Sequence, residues 1–195
     1  MIDPELIKRC QEGDEEAFDA LYRAVYKKTV WTAYLVCGNM DRSEDIVQET
    51  FYECFRDIPK LRDPNLFQAW FNRILIRKCQ KQLRKKFTVE SLDDENAPDP
   101  ADDISVADIV ETNQTSRSVR EAVLRLRAPL RTTVILFYFH GLNISEIAKV
   151  MKCFQGTVKS RLHYAKQKLG KELANEFMYG GDRKFNGRSK EGTVL

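Results

Sequence analysis

Histidine, proline and glycine are scarce in this sequence, and long apolar runs are missing. Its 195 residues include 2 His, 6 Pro and 9 Gly. With only His140 and His163, and five cysteines (Cys10, Cys37, Cys54, Cys79, Cys153) that form no C-x-x-C pair, no metal site is expected. An odd set of cysteines placed mostly on apolar helix faces reads instead as buried, reduced thiols in a cytoplasmic protein. No apolar stretch approaches the ~20 residues that span a bilayer, so direct membrane insertion is not expected. The opening MIDPELIKRC also lacks the charged-then-apolar build of a secretory signal. No nucleophile, base and orienting group follow in a recognisable order, so neither Cys153 nor His140 supports a reading as an enzyme, and no cofactor is expected.

What is present is helical spacing. Asp3-Pro4 opens a first helix to about Gln11, with an acid at the cap and proline in the first turn. After Gly13, Phe18, Leu21, Tyr22, Val25, Tyr26, Val30, Ala33 and Tyr34 keep a period near 3.6, which predicts a long helix to Cys37, stopped by Gly38-Asn39. A third helix is predicted over residues 42–58, capped by Ser43 or Asp41. Val47, Phe51, Cys54, Phe55 and Ile58 form its buried stripe, with Asp45, Gln48, Glu49, Tyr52 and Arg56 on the opposite, polar face. By spacing alone that face is simply solvated. Residues 66–86 read as a fourth helix in which Phe67, Trp70, Phe71, Ile74, Leu75 and Leu83 are apolar and cations crowd the C-terminal end.

Charge is distributed in blocks. Residues 61–90 carry eight Lys or Arg against two acids, residues 91–116 carry eight acids and no Lys or Arg, and residues 117–177 carry twelve cations against four acids. Two basic blocks around an acidic one suggest two polyanion-binding surfaces with a non-binding connector. The acidic block also holds Pro98 and Pro100 and loses all periodicity. The expectation is therefore an all-α chain of two small helical domains joined by an acidic linker: residues 1–88, a linker over 89–115, residues 116–177, and a disordered tail over 178–195. In the fourth helix, basic residues beside Trp70 and Phe71 would suit a single strand, whose backbone follows charge and whose bases stack. Both rings could equally be core.

The most informative stretch is GLNISEIAKVMKCFQGTVKSRLHYAKQKL, residues 141–169. It follows an apolar helix predicted over residues 130–140, which begins after a break at Pro129 and ends at Gly141. Asn143 and Glu146 form a capping-box pattern, Ile144, Ile147, Ala148 and Met151 make one apolar stripe, and Val158, Leu162, Ala165 and Leu169 make another after a break at residues 152–155. Gln155, Lys159, Ser160, Arg161, His163, Tyr164, Lys166 and Gln167 then point outward, side chains suited to phosphates and base edges in a major groove. This is a helix-turn-helix pattern; an ordinary helical hairpin with a solvated basic face is the plainer alternative.

Taken in order, DEEAFDALYRAVY, SEDIVQETFYECFRDI, FQAWFNRILIRKCQKQLRKK and ISEIAKVM with GTVKSRLHYAKQKL resemble the successive conserved stretches of bacterial extracytoplasmic-function sigma factors, the minimal members of the sigma-70 family, over residues 5–173. The resemblance implies a promoter-specificity subunit of RNA polymerase. It would place Asp45, Gln48 and Glu49 on the clamp helices of the β′ subunit. Arg62, Asn65, Trp70, Arg73, Arg77, Lys78, Lys81 and Arg84 would lie on melted −10 DNA, and Gln155, Thr157, Lys159, Ser160, Arg161 and His163 on the −35 element. It also implies an anti-sigma partner that clamps both halves. Two departures stand out: Lys152 and Phe154 occupy turn positions where the family often has Gly and Ser, and Arg77 and Lys81 replace residues that are commonly Asn and Asp. The C-terminal reader alone would also fit a free-standing helix-turn-helix regulator.

Overall fold

The computed structural model describes residues 2–90 and 114–179. All regular structure among them is helical. The Asp3 carboxylate accepts from the Glu5 backbone N–H at 2.9 Å, and with Pro4 in the first turn it starts α1, Pro4–Gln11. Asp14 repeats the device for α2, Glu15–Cys37, accepting from Ala17 N–H at 3.0 Å. Gly38 ends α2 at φ 75°, where its N–H reaches the Tyr34 carbonyl at 2.7 Å, a left-handed cap that glycine takes without strain.

The next helix, α3, spans Met40–Asp57 and begins two residues earlier than expected. Its cap is Asn39, which accepts from Arg42 N–H at 2.9 Å, and neither Ser43 nor Asp41. Ser43 lies buried inside the first turn with its hydroxyl donating to the Asn39 carbonyl at 2.6 Å. The stripe of α3 is Ile46, Val47, Thr50, Phe51 and Cys54; Phe55 is 57% exposed, its ring edge-on to Phe18 at 4.7 Å. Two 3-10 turns, Ile58–Lys60 and Pro64–Leu66, carry the chain round, and Gln11 ties the first of them down by donating to the carbonyls of Ile58 at 3.1 Å and Leu61 at 2.6 Å.

From there α4 runs over Phe67–Glu90. Phe67, Phe71, Leu75, Ile76 and Cys79 are buried in it, with Phe71 between Phe51 at 5.4 Å and Phe67 at 5.5 Å. Full burial of each such ring is worth roughly 1.5–3 kcal/mol. The acidic segment and the glycine-rich tail fall largely on residues 91–113 and 180–195, outside the described residues.

In the second half, α5 covers Gln114–Leu124 and α6 covers Ala128–Val134. Pro129 does not break this helix but sits in its first turn, where a missing N–H is harmless. Nor does the helix run evenly to residue 140. At Ile135–Phe139 it widens into a π turn, in which His140 N–H bonds the Ile135 carbonyl five residues back at 3.1 Å. Gly141, at φ 67°, then turns the chain into α7, Ile144–Met151, and α8, Gln155–Tyr179. One hydrophobic core runs through both halves, joining Val36, Val47 and Leu75 to Leu136, Ile147 and Val158.

Candidate functional site

On α3, burial of Ile46, Val47, Thr50 and Phe51 turns Asp45, Gln48 and Glu49 into solvent, as expected, alongside Tyr52 at 71% exposure. The face is continuous with the basic helix through a network that local spacing did not reveal. Lys78 Nζ lies 3.0 Å from Glu49 and 3.3 Å from Glu53, and Arg77 donates to Glu53 as well. Burial pushes the Glu53 carboxyl up, but the hydrogen bonds from Arg77 and Lys78 outweigh it and hold it below the ordinary value. Two of the cations expected on DNA are thus already engaged by carboxylates, and Glu53 joins them in a network that sequence reasoning missed.

Arg73, Arg77, Lys81 and Arg84 lie along one exposed stripe of α4 at helical spacing. Arg73 and Lys81 form no ion pair with a described residue. Together with Lys60 and the half-buried Trp70, these cations line a cleft of about 1210 Å³ whose opposite wall is Val150, Met151 and Lys152. Trp70 is half core and half surface: its ring lies 6.0 Å from Phe67 while it also lines the cleft. Arg62 and Asn65 are exposed on the preceding loop, where Asp63 accepts from both the backbone and the side chain of Asn65 at 2.9 Å and fixes the turn.

The α7–α8 pair starts with the expected capping box. Asn143 accepts from Glu146 N–H at 3.0 Å and Glu146 accepts from Asn143 N–H at 2.8 Å. The chain then turns at Lys152, φ 50° and ψ 50°, the single non-glycine residue at positive φ among the described residues. Gln155, Lys159, Ser160 and His163 are exposed on α8. Thr157 and Arg161 are not fully outward. They are half-buried, and Arg161 points Nη1 toward Met151 Sδ and Cys153 Sγ, both at 3.8 Å. Ser160 spends its proton on the Gly156 carbonyl at 3.0 Å, which leaves its oxygen as an acceptor, and Nε2 of His163 lies 3.1 Å from the Gln167 amide. Phe154, in the turn, is 87% exposed.

A third constellation had no local signal. His140, reached through the π turn, packs between α2 and α4, with Nε2 at 2.7 Å from Thr32 Oγ1 and Nδ1 at 3.2 Å from Asn72 Nδ2. Burial, aided by Lys28, holds its pKa down to about 3. Contacts between residues so far apart in sequence leave no periodic trace.

The family model described as ECF sigma factor matches residues 4–175, which takes in α1 to α7 and most of α8. Among curated proteins, the chain is 29% identical to the ECF RNA polymerase sigma factor SigW of Bacillus subtilis over 176 residues, covering 86% of this chain and 94% of that protein. It is 28% identical to the RNA polymerase sigma-H factor of Pseudomonas aeruginosa, covering 88% and 93%. Among solved structures, the sigma factor RpoE of Bartonella quintana, crystallised with the anti-sigma factor NepR, shares the fold at a TM-score of 0.65 and 22% identity over 80% of this chain and 96% of that one. CnrH, solved in complex with the cytosolic domain of CnrY, does so at 0.62 and 20% over 89% and 98%.

Proposed function

The chain belongs to the ECF sigma factor family, and from that premise we propose that it is an RNA polymerase sigma factor that binds core polymerase, recognises −35 and −10 promoter elements and promotes melting. The observation that carries this reading is the extent of the match. It includes α1–α4 with their basic stripe as well as the α7–α8 pair, and a free-standing regulator built on the reader alone has no use for that first half.

Each surface then has a task. Asp45, Gln48 and Glu49, exposed and acidic or amide-bearing, dock on the clamp helices of the β′ subunit. On α4, Arg73 and Lys81 take the phosphates of the melted −10 strand, with Arg84, Arg77 and Lys78 beside them and Trp70 as a stacking face. Arg62 and Asn65 hold the loop edge where a base leaves the stack, a step costing a few kcal/mol that pocket and phosphate contacts offset. The exposed α8 residues Gln155, Lys159, Ser160 and His163 read the −35 element in the major groove, and Thr157 and Arg161 steady the backbone at its rim. The pair α7–α8 is read as a helix-turn-helix, and the acidic residues between α4 and α5 as the connector of two DNA-binding units. The protein works by binding, with no catalytic step of its own, in the cytoplasm. An anti-sigma factor is its expected antagonist, as for RpoE with NepR.

Run-off transcription with purified bacterial core polymerase and a promoter library tests the reading, using the wild type and an Asp45→Ala/Gln48→Ala/Glu49→Ala triple variant. Protein-dependent transcripts sharing two spaced elements, lost in the triple variant, are expected. No protein-dependent transcript from a polymerase that binds the chain would overturn it.

A further inference from the structure

The cleft between α4 and the end of α7 has two unlike linings. Part of it is apolar: Trp70, half-buried, with Ile74 on the α4 wall, and Val150 with Met151 on the other. The rest is charged, with six Lys or Arg against two acids. Both acids are already answered. Glu53 is held by Arg77 and Lys78, and Asp57 by Arg56 at 2.7 Å and Lys60 at 2.6 Å. Arg73 and Lys81 on one wall and Lys152 on the other form no ion pair with a described residue. The cleft therefore sets uncompensated positive charge beside the face of an indole.

That combination selects a class of ligand. An apolar molecule would leave the cations unanswered, and a bare anion would leave Trp70 uncovered. A planar ring carrying phosphates uses both, because the indole stacks on the ring while guanidinium and ammonium groups take the phosphate oxygens. Met151 supplies a thioether on the facing wall, a group that packs well against aromatic rings. Sites for small ligands are typically about 300–1,000 Å³. At about 1210 Å³ the cleft has room for such a molecule with some of its water.

Lys152 adds an independent observation. It holds φ 50° and ψ 50°, a left-handed conformation that glycine adopts freely and a side chain adopts with strain. Strain of this kind persists where the side chain is used. The Lys152 ammonium is exposed, and the residue stands in the cleft wall facing Arg73 and Lys81. We propose that this cleft is a binding site for a nucleoside polyphosphate, whose base stacks on Trp70 and whose phosphates are held by Arg73, Lys81 and Lys152. The inference goes beyond the promoter reading, which gives α4 a DNA strand and gives Lys152 no task. Because Trp70, Arg73 and Lys81 serve both ligands, the nucleotide and a single strand exclude each other on α4.

The test is isothermal titration of the full chain with ATP, ADP, AMP, adenosine and inorganic triphosphate at about 0.1 M salt. Affinity is expected to fall roughly fivefold with each phosphate removed, and inorganic triphosphate is expected to bind roughly tenfold more weakly than ATP because it cannot stack. ATP should quench tryptophan fluorescence in the wild type and not in Trp70→Leu, whose remaining Trp31 is buried at 9% exposure. Lys152→Gly should weaken ATP roughly fivefold while keeping its helix content by circular dichroism. Lys27→Ala, which removes an exposed cation of α2 outside the cleft, should leave the affinity unchanged. ATP binding that is absent, that inorganic triphosphate matches, that folded Trp70→Leu or Lys152→Gly leaves intact, or that Lys27→Ala weakens as much as Lys152→Gly overturns the site and leaves the promoter reading standing.

Discussion

Lowering the pH from 7.5 to 5.5 should destabilise this protein through His140. Its ring, neutral and wedged between α2 and α4, has a pKa held down to about 3 against an ordinary 6.5. The charged group packed near it is Lys28 from α2, while α4 presents only the neutral amides of Gln68 and Asn72. The unfolded chain therefore takes up a proton that the native chain refuses, and stability is lost as pH falls below 6.5. At pH 5.5 an exposed imidazole is protonated about ten to one, which sets the loss between pH 7.5 and 5.5 at about 1.4 kcal/mol, an upper limit because the ring keeps some water contact. The carboxyls of Asp14 and Glu53, held below their ordinary values, remain ionised across this window and leave the difference to histidine. In urea unfolding followed by circular dichroism, with a slope of about 2 kcal/mol/M, the midpoint should fall by about 0.7 M. His140→Gln, which cannot ionise, should lose most of that shift. An equal shift in the variant would place the proton elsewhere and refute the reasoning.

Glu53→Gln should release Arg77 and leave Lys78 held by Glu49 alone at 3.0 Å, costing about 1–2 kcal/mol of stability because Lys78 loses one of its two carboxylates at a poorly exposed site. In the same variant, the log–log salt slope for single-stranded DNA binding should steepen by about 0.7 per cation freed; an unchanged slope in a fluorescence-anisotropy titration would count against the basic stripe as the strand's path. Lys152→Gly should relieve the left-handed strain at φ 50° and add about 0.5 kcal/mol of stability after glycine's larger chain entropy is subtracted, read as a higher urea midpoint. A fall in the midpoint would show that the Lys152 side chain holds the turn. Phe67→Ala, emptying a fully buried ring site, should cost about 3–5 kcal/mol in the same assay, and a loss under 1 kcal/mol would contradict the packing described.

Short-range chemistry was the part of this fold that the sequence made legible. Asp3-Pro4, Gly38 and the Asn143–Glu146 box each act within one turn of themselves, and each stands where its residue type predicts. Periodicity placed Asp45, Gln48 and Glu49 outward for the same reason. It misjudged Phe55, because an aromatic at the edge of a stripe is decided by its partner, here Phe18 from another helix. It missed Asn39 as a cap because Asp41 and Ser43 compete for the same role two and four residues on, and only packing selects among them. The pairing of Lys78 with Glu49, and of His140 with Thr32, joins residues 29 and 108 positions apart. Nothing in local spacing encodes such distances. The exposure of Arg161 was overestimated because a helical wheel ignores the sulfur atoms of Met151 and Cys153 that the preceding turn brings alongside.

The wide turn at Ile135–Phe139 acts as a phase shifter. Upstream, the orientation of α6 is locked by Thr132, Thr133 and Val134, which are buried. Downstream, the five-residue closure at His140 absorbs one more residue than an α-helix would, so the two ends need not share an angular register. Removing a single residue there would restore an ordinary helix while rotating the segment that follows by about 100°. His140 would then leave its seat, although every exposed residue of α4 and α8 had been preserved. Chain length at this one place is therefore a variable that sets how α7 and α8 are docked against α2 and α4, with no change to the residues that they expose.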